Sequence, residues 1–214
     1  MTPQDFAVIA ATHKIFVSRE TLEKFEVYGA LLTKWQSKIN LVSRHTMERM
    51  WNIHFWDSAQ LARLLPDHVR THVDIGSGAG FPGLVLALLG VAQQTVLFES
   101  DQRKTAFLRE VARQTDAPVR IICDRIEKST ACGHDVDLIT ARALAALDKL
   151  LSLAWPLSHI HTECVFPKGE NVEAELTNAR KYWMFKAKRF RGLADNRTTI
   201  LRISDVSRRS ACSA

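Results

Sequence analysis

From Ser18 onward the apolar positions recur every three or four residues. Ser18 has the chemistry of an N-cap, and Leu22, Phe25, Leu31, Leu32 and Trp35 fall on one face of a helix. A second helical stretch opens near Thr46, with Met47, Met50, Trp51, Phe55, Leu61, Leu64 and Leu65 as its apolar body, and Pro66 stops it. Residues 1–70 therefore predict a helical extension, whose aromatic residues read as core rather than as platforms for stacked bases. At Thr71 the pattern changes. His72, Val73, Asp74 and Ile75 predict a short buried strand, Gly76, Gly78 and Gly80 a loop, and Leu84 to Leu89 the apolar body of a helix with Pro82 in its first turn.

The rest of the chain alternates between the two periods. Residues 95–98 predict a strand closed by Glu99, 103–114 an amphipathic helix, 119–123 a strand, 136–140 a fourth strand, 144–153 a helix, and 164–166 a fifth strand. A helix follows from about Val172. The runs 183–190 and 197–203, joined by residues 192–196, carry a hairpin signal. Strands alternating with helices imply a mostly parallel sheet, with ligands held outside the carboxyl ends of its strands.

The loop after the first strand carries the first chemistry. Three glycines at alternate positions let the main chain press against a ligand. A dinucleotide fingerprint needs a glycine at the sixth place counted from Gly76, and Phe81 stands there; no Gly-Lys-Ser/Thr of a P-loop follows. A tight turn without a ligand competes with the binding reading. Glu99 lies 23 residues after Gly76, about where an acidic residue accepts both hydroxyls of a ribose in doubly wound folds, although a solvated strand-end Glu would look the same.

The segments DIGSGAGFPG (74–83), RKTAFL (103–108), Arg125-Ile126-Glu127, Arg142-Ala143 and Lys168-Gly169 together resemble the RsmG (GidB) family of bacterial 16S rRNA guanine-N7 methyltransferases, across about residues 20–205. The resemblance implies an α/β fold of the class I S-adenosylmethionine-dependent methyltransferase type, Rossmann-like with a C-terminal antiparallel hairpin. Residues 1–70 would form the helical extension, 71–206 the methyltransferase domain and 207–214 a tail, with a polar composition already evident from Ser204. It implies S-adenosylmethionine bound by Gly76, Gly78, Gly80, Phe81, Glu99, Ile126, Glu127 and Arg142, with the turn 124–127 at the adenine. Arg142 would also be the catalytic residue, directed at the cofactor carboxylate, at guanine O6 or at a phosphate. Two short motifs depart from the family pattern: Trp35-Gln36 replaces Trp-Asn, and Asn40-Leu41-Val42 replaces Asn-Leu-Thr, in a region read as packing. His54, Asp57 and Ser58 match a family His-x-x-Asp-Ser pattern. With no nucleophile elbow they read as capping or packing residues, not as a catalytic triad. Guanine N7 bears a lone pair and no proton, so its methylation needs alignment rather than a general base, and alignment alone supplies ~7 to 11 kcal/mol of a barrier.

Charge adds a direction. Net charge is +2 over residues 1–70, −4 over 71–179 and +8 over 180–214, out of +6 for the 214-residue chain. A basic end suits a polyanion such as 16S rRNA or the small ribosomal subunit, and Lys168, Lys186, Lys188, Arg189 and Arg191 are the expected phosphate ligands; a solvated basic face is the competing reading. Cys123, Cys132, Cys164 and Cys212 are scattered and read as reduced thiols, without metal-ligand spacing. No apolar run approaches the ~20 residues of a membrane span. A cytoplasmic monomer without a metal is expected. A class I enzyme acting on another RNA or a small molecule, a nicotinamide oxidoreductase, and a non-catalytic RNA-binding protein remain as alternatives.

Overall fold

A computed structural model describes residues 1–128 and 135–209. The amino-terminal segment supplies α1 (Pro3–Thr12) and α2 (Arg19–Gln36), and Ser18 caps the latter by accepting from the Thr21 amide. Residues 44–64 then form one helical run of changing pitch: a 3-10 turn at Arg44–Arg49, a π-helical stretch at Trp51–Trp56, α3 (Asp57–Ala59) and a second 3-10 turn at Gln60–Leu64. The hydrophobic spacing shows a helix here but not its change of pitch. The pitch matters, because π-helical turns release carbonyls from the regular ladder.

Among the described residues seven strands form one sheet: β1 (Thr71–Ile75), β2 (Gln94–Phe98), β3 (Val119–Ile122), β4 (Val136–Thr140), β5 (Ser158–Lys168), β6 (Trp183–Arg191) and β7 (Thr199–Arg208). Their order is β3-β2-β1-β4-β5-β7-β6, and β7 alone runs against its neighbours. β5 is far longer than residues 164–166. β7 runs from Thr199 to Arg208, so the polar composition from Ser204 to Arg208 belongs to a strand and not to the start of a tail. Residues 210–214 of the expected tail lie outside the described residues, as do Cys132 and Cys212.

The helices between strands are α4 (Gly83–Leu88), α5 (Gln102–Thr115), α6 (Leu147–Ala154) and α7 (Val172–Ala179). Asp101 caps α5 through the amides of Arg103 and Lys104, and Asp116, at φ +49°, ends it. Pro82 stands just ahead of α4, after a cis peptide bond. α6 begins three residues later than the sequence predicts, because Ala143 takes φ +53° and residues 141–146 are irregular.

One face of the sheet carries a cluster that joins Phe6, Phe25, Tyr28 and Phe55 of the amino-terminal segment to Phe81, Leu84 and Phe107. The opposite face carries α6 and α7 over Ile75, Phe98 and Ile139. The extension thus shares a core with the glycine loop. Cys123 and Cys164 are free thiols, and burial pushes the Cys164 thiol up to about 12. No helix among the described residues is long and apolar enough to cross a membrane.

Candidate active site

The loop after β1 is shaped by its own glycines and by Glu99. Gly76 and Gly78 take φ +66° and +58°, where a Cβ is disfavoured, and a Cβ on Gly76 would lie 2.7 Å from the Leu144 side chain. Around Gly78 the space is open, its nearest neighbour a carbonyl 3.9 Å from the Cβ position, which leaves room for a ligand against the main chain. Glu99, just beyond β2 and buried, accepts from the Gly78 amide with Oε2 at 2.7 Å and from the Asp101 amide with Oε1 at 2.8 Å. Each oxygen keeps a further lone pair.

Gly76, Ser77, Gly78, Ala79 and Phe81 line a cavity of about 860 Å³ at the carboxyl edge of the sheet. A recess of about 310 Å³ on the other side of Leu144 is lined by Ile75, Phe98, Asp124, Ile126 and Glu127. Both cavities touch Gly76 and Leu144. Gly80 is different: a Cβ there would meet Tyr28, Leu84 and Leu108 beneath the loop, so this glycine lets the loop lie close on α2 and α4. Tyr28 donates to the Ala79 carbonyl and stacks on Phe81 at 5.2 Å, so α2 braces the loop from behind.

Arg142, after β4, is the centre of a polar network. Nη1 donates to the Ile53 carbonyl at 3.0 Å and to Asp57 Oδ2 at 3.2 Å; Nη2 lies 3.0 Å from His54 Nδ1. The guanidinium sits 5.2 Å from the centre of the Phe81 ring. An arginine only donates, so His54 Nδ1 accepts, and its Nε2–H donates to Thr46 Oγ1 at 2.7 Å, whose hydroxyl donates to the Ser43 carbonyl. Burial, with help from Arg142, pushes His54 down to about 3 and keeps it neutral. Burial pushes Asp57 upward against the pull of Arg142. Gln60 continues the network by donating to Asp57 Oδ1 at 2.9 Å and accepting from the Leu193 amide at 2.6 Å. Two arginine donors, Nε–H and one Nη2–H, have no partner among the described residues.

A family model described as rRNA small subunit methyltransferase G matches residues 21–199. The chain belongs to that family. A ribosomal RNA small subunit methyltransferase G from Paramagnetospirillum magneticum is 50% identical over 192 residues, covering 90% of this chain and 92% of the relative. One from Rhodospirillum rubrum is 45% identical over 208 residues, 97% of this chain and 100% of the relative. Among solved structures, TYW2 from M. jannaschii in complex with AdoMet superimposes with a TM-score of 0.55 at 12% identity, over 81% of this chain and 80% of that one. A ribosomal protein L11 methylase from Lactobacillus delbrueckii subsp. bulgaricus does so at 0.54 and 19%, over 69% and 78%. These structures share the class I methyltransferase fold.

In this member of the methyltransferase G family the structure relocates several sequence-based assignments. His54 and Asp57 neither cap a helix nor merely pack. Three residues apart on a helical turn, they share a face and together clamp Arg142. Lys168 is not available to a phosphate: its side chain is 8% exposed, and Nζ binds Glu175 at 2.6 Å and the Ala145 carbonyl at 2.8 Å, pinning the segment between β4 and α6. The hairpin cations do not form one surface, because successive side chains of a strand point to opposite faces. Lys186 and Lys188 share a face with Phe190, while Arg189 and Arg191 share the other, and Lys186 and Arg189 are paired with Asp205 and Glu173. Of the residues read as packing, Leu41 and Val42 line the main cavity, and Gln36 holds them in place by accepting from both their amides and donating to the Val42 carbonyl.

Residues that sequence reasoning missed also line the main cavity. Lys104 and Arg49 come from α5 and the 3-10 turn, and Ala194 to Thr198 from the hairpin connection, where Arg197 is tied to Asp195 at 3.1 Å. Their signal is faint. RKTAFL marks the family without giving Lys104 a role, and residues 192–196 carry only a turn signal.

Proposed function

We propose that this chain transfers the methyl group of S-adenosylmethionine to N7 of a guanine in the rRNA of the small ribosomal subunit. The observation that carries the reading is the juxtaposition of two built features: a glycine loop held open by Glu99, and an arginine held by His54, Asp57 and the Ile53 carbonyl across the same cavity. Family membership supplies the substrate class.

The residues fit the cofactor. Gly78 leaves the space that a side chain would fill, Glu99 retains lone pairs for a ribose diol, and the recess at Ile126 offers apolar walls of Ile75 and Phe98 for a flat ring, with Asp124 and Glu127 at its edge. When bound, the cofactor supplies an electrophilic methyl on a sulfonium and leaves as a neutral thioether. The purine lone pair needs no base to form the new N–C bond. What the chain must do is align, which accounts for a site whose nearest histidine is buried, neutral and accepting from an arginine.

Arg142 has two donors left for guanine O6. N7 stays free, which an arginine bidentate to O6 and N7 would prevent. Methylation makes the purine cationic, and a bare guanidinium beside it would oppose that charge. Asp57 at 3.2 Å balances it. The same reading takes the protein as a cytoplasmic monomer acting on rRNA or on the subunit. The test is a nucleoside digest of small-subunit rRNA from cells with and without the protein. One 7-methylguanosine should be missing from the second. Identical digests would refute the reading.

A further inference from the structure

The main cavity does not end at its rim. Leu41, Val42, Ser43 and Lys104 also wall a second groove of about 740 Å³ that runs on along residues 36–45. Its cations are Lys38, Arg44 and Lys104, and no carboxylate among the described residues lines it. Lys38 and Arg44 are exposed, and neither is in an ion pair among the described residues. This differs from the hairpin, where Lys186 and Arg189 already face carboxylates.

The groove is built rather than incidental. The Gln36 side chain takes the amides of Leu41 at 3.0 Å and Val42 at 3.1 Å and gives its own N–H to the Val42 carbonyl at 2.7 Å, so residues 37–43 are folded over α2 before any ligand arrives. A pre-ordered wall spends less free energy on ordering when it binds. His45 adds a flat ring at the outer end.

The chemistry at the inner end says what the groove must receive. N7 lies on the Hoogsteen edge, in the deep, narrow major groove of an A-form duplex, which side chains do not reach. A guanine presented to the main cavity is therefore unpaired or turned out of its helix, and the strand beside it is single-stranded. Such strands are held by cationic grooves along the phosphates, with rings stacked on bases.

We propose that the groove along residues 36–45 is the track for the single-stranded RNA flanking the target guanine, with Lys38, Arg44 and Lys104 on its phosphates and His45 against a base. This rests on the rRNA methyltransferase reading and adds the path of the strand. The test is K38Q/R44Q, two exposed positions whose loss leaves the Gln36 staple intact, measured by fluorescence anisotropy with a labelled single-stranded RNA oligonucleotide over a range of salt. Removing one cation from a phosphate lowers the magnitude of the slope of log K against log salt by ~0.7, so the pair should lower it by about 1.4. Calorimetry with S-adenosylmethionine should give the wild-type affinity, which shows that the variant is folded. K186Q/K188Q is the rival. If it takes the loss while K38Q/R44Q keeps the wild-type slope, the strand runs over the hairpin and the groove assignment falls. Retained methylation of small-subunit rRNA in that case would leave the rRNA reading standing, whereas a wild-type protein that binds the cofactor but neither binds nor methylates that RNA would overturn both.

Discussion

Glu99→Gln separates the observed duty of Glu99, shaping the loop, from the proposed one, holding a ribose. In the structure both carboxylate oxygens already accept backbone amides, Gly78 at 2.7 Å and Asp101 at 2.8 Å. An amide side chain keeps the volume but presents an NH₂ to one of these two N–H groups. One hydrogen bond to a charged acceptor is then lost, at ~1.5 to 3 kcal/mol, and a buried donor faces another donor. That cost falls on the protein without cofactor, where both bonds are already made. For a chain of this size ~1 kcal/mol corresponds to roughly 2 to 4 °C, so the melting temperature of the apo variant should fall by about 3 to 12 °C. Affinity for S-adenosylmethionine should weaken by at least about tenfold as well, since one further hydrogen bond to the diol loses its charge. Differential scanning calorimetry of the apo protein and isothermal titration with the cofactor measure the two separately. An unchanged melting temperature would show that Glu99 does not hold the loop; an unchanged dissociation constant would place the ribose elsewhere.

Asp57→Asn removes the charge that holds Arg142 while keeping its shape. A displaced guanidinium should lower single-turnover methyl transfer by roughly 10²-fold, with cofactor affinity at the wild-type value, and equal rates would remove Asp57 from the alignment of the site. Gly83→Ala would set a Cβ 2.5 Å from the Cβ of the buried Asp74, so overpacking should cost ~1 to 3 kcal/mol in urea unfolding; a neutral result would mean that α4 shifts freely. His72→Gln addresses acid stability. Burial holds His72 at about 3 against an unfolded value near 6.5, so the unfolded chain binds a proton that the native one refuses, and stability is lost as pH falls below about 6.5. Between pH 6.5 and 5.5 that one group accounts for about 1 kcal/mol, and the variant should lose that much less over the interval than the wild type. Buried Asp74, pushed up to about 6, acts with the opposite sign over the same range in both proteins. Parallel losses would mean that His72 is not the acid-sensitive group.

How far the sequence could be read depends on the range of the interactions. Strands β1 and β4 and the cap at Ser18 follow from local period and chemistry, and they appear at the positions expected. The Glu99–Gly78 hydrogen bond joins two features that each carry a local signal, a strand end and a glycine loop, brought together by the parallel pairing of β1 and β2. The Arg142 clamp has no such local signal. It joins residues 85 to 89 positions apart, and its Ile53 carbonyl belongs to a π-helical stretch that hydrophobic spacing does not distinguish from an ordinary helix. Lys168 misled for a related reason: a lysine beside a glycine at a strand end looks solvated until Glu175 of α7 packs over it. The charge count along the chain located an excess of cations in β6 and β7, but alternation along the strands divides them between two faces. The more sparsely charged segment 36–49, whose Lys38, Arg44 and Arg49 lie in no ion pair among the described residues, leads into the cavity.

The most direct test of the central claim is methyl transfer by the purified protein. Small subunits from cells lacking it are incubated with S-adenosylmethionine labelled in the methyl group, and the rRNA is then reduced and cleaved with aniline at 7-methylguanosine. The expected result is label incorporated at one position, with strand cleavage there and none in a reaction containing Arg142→Ala. Label that enters the rRNA without creating a cleavable site would contradict N7 as the acceptor, and absence of label from rRNA with a protein that binds the cofactor would contradict the function itself.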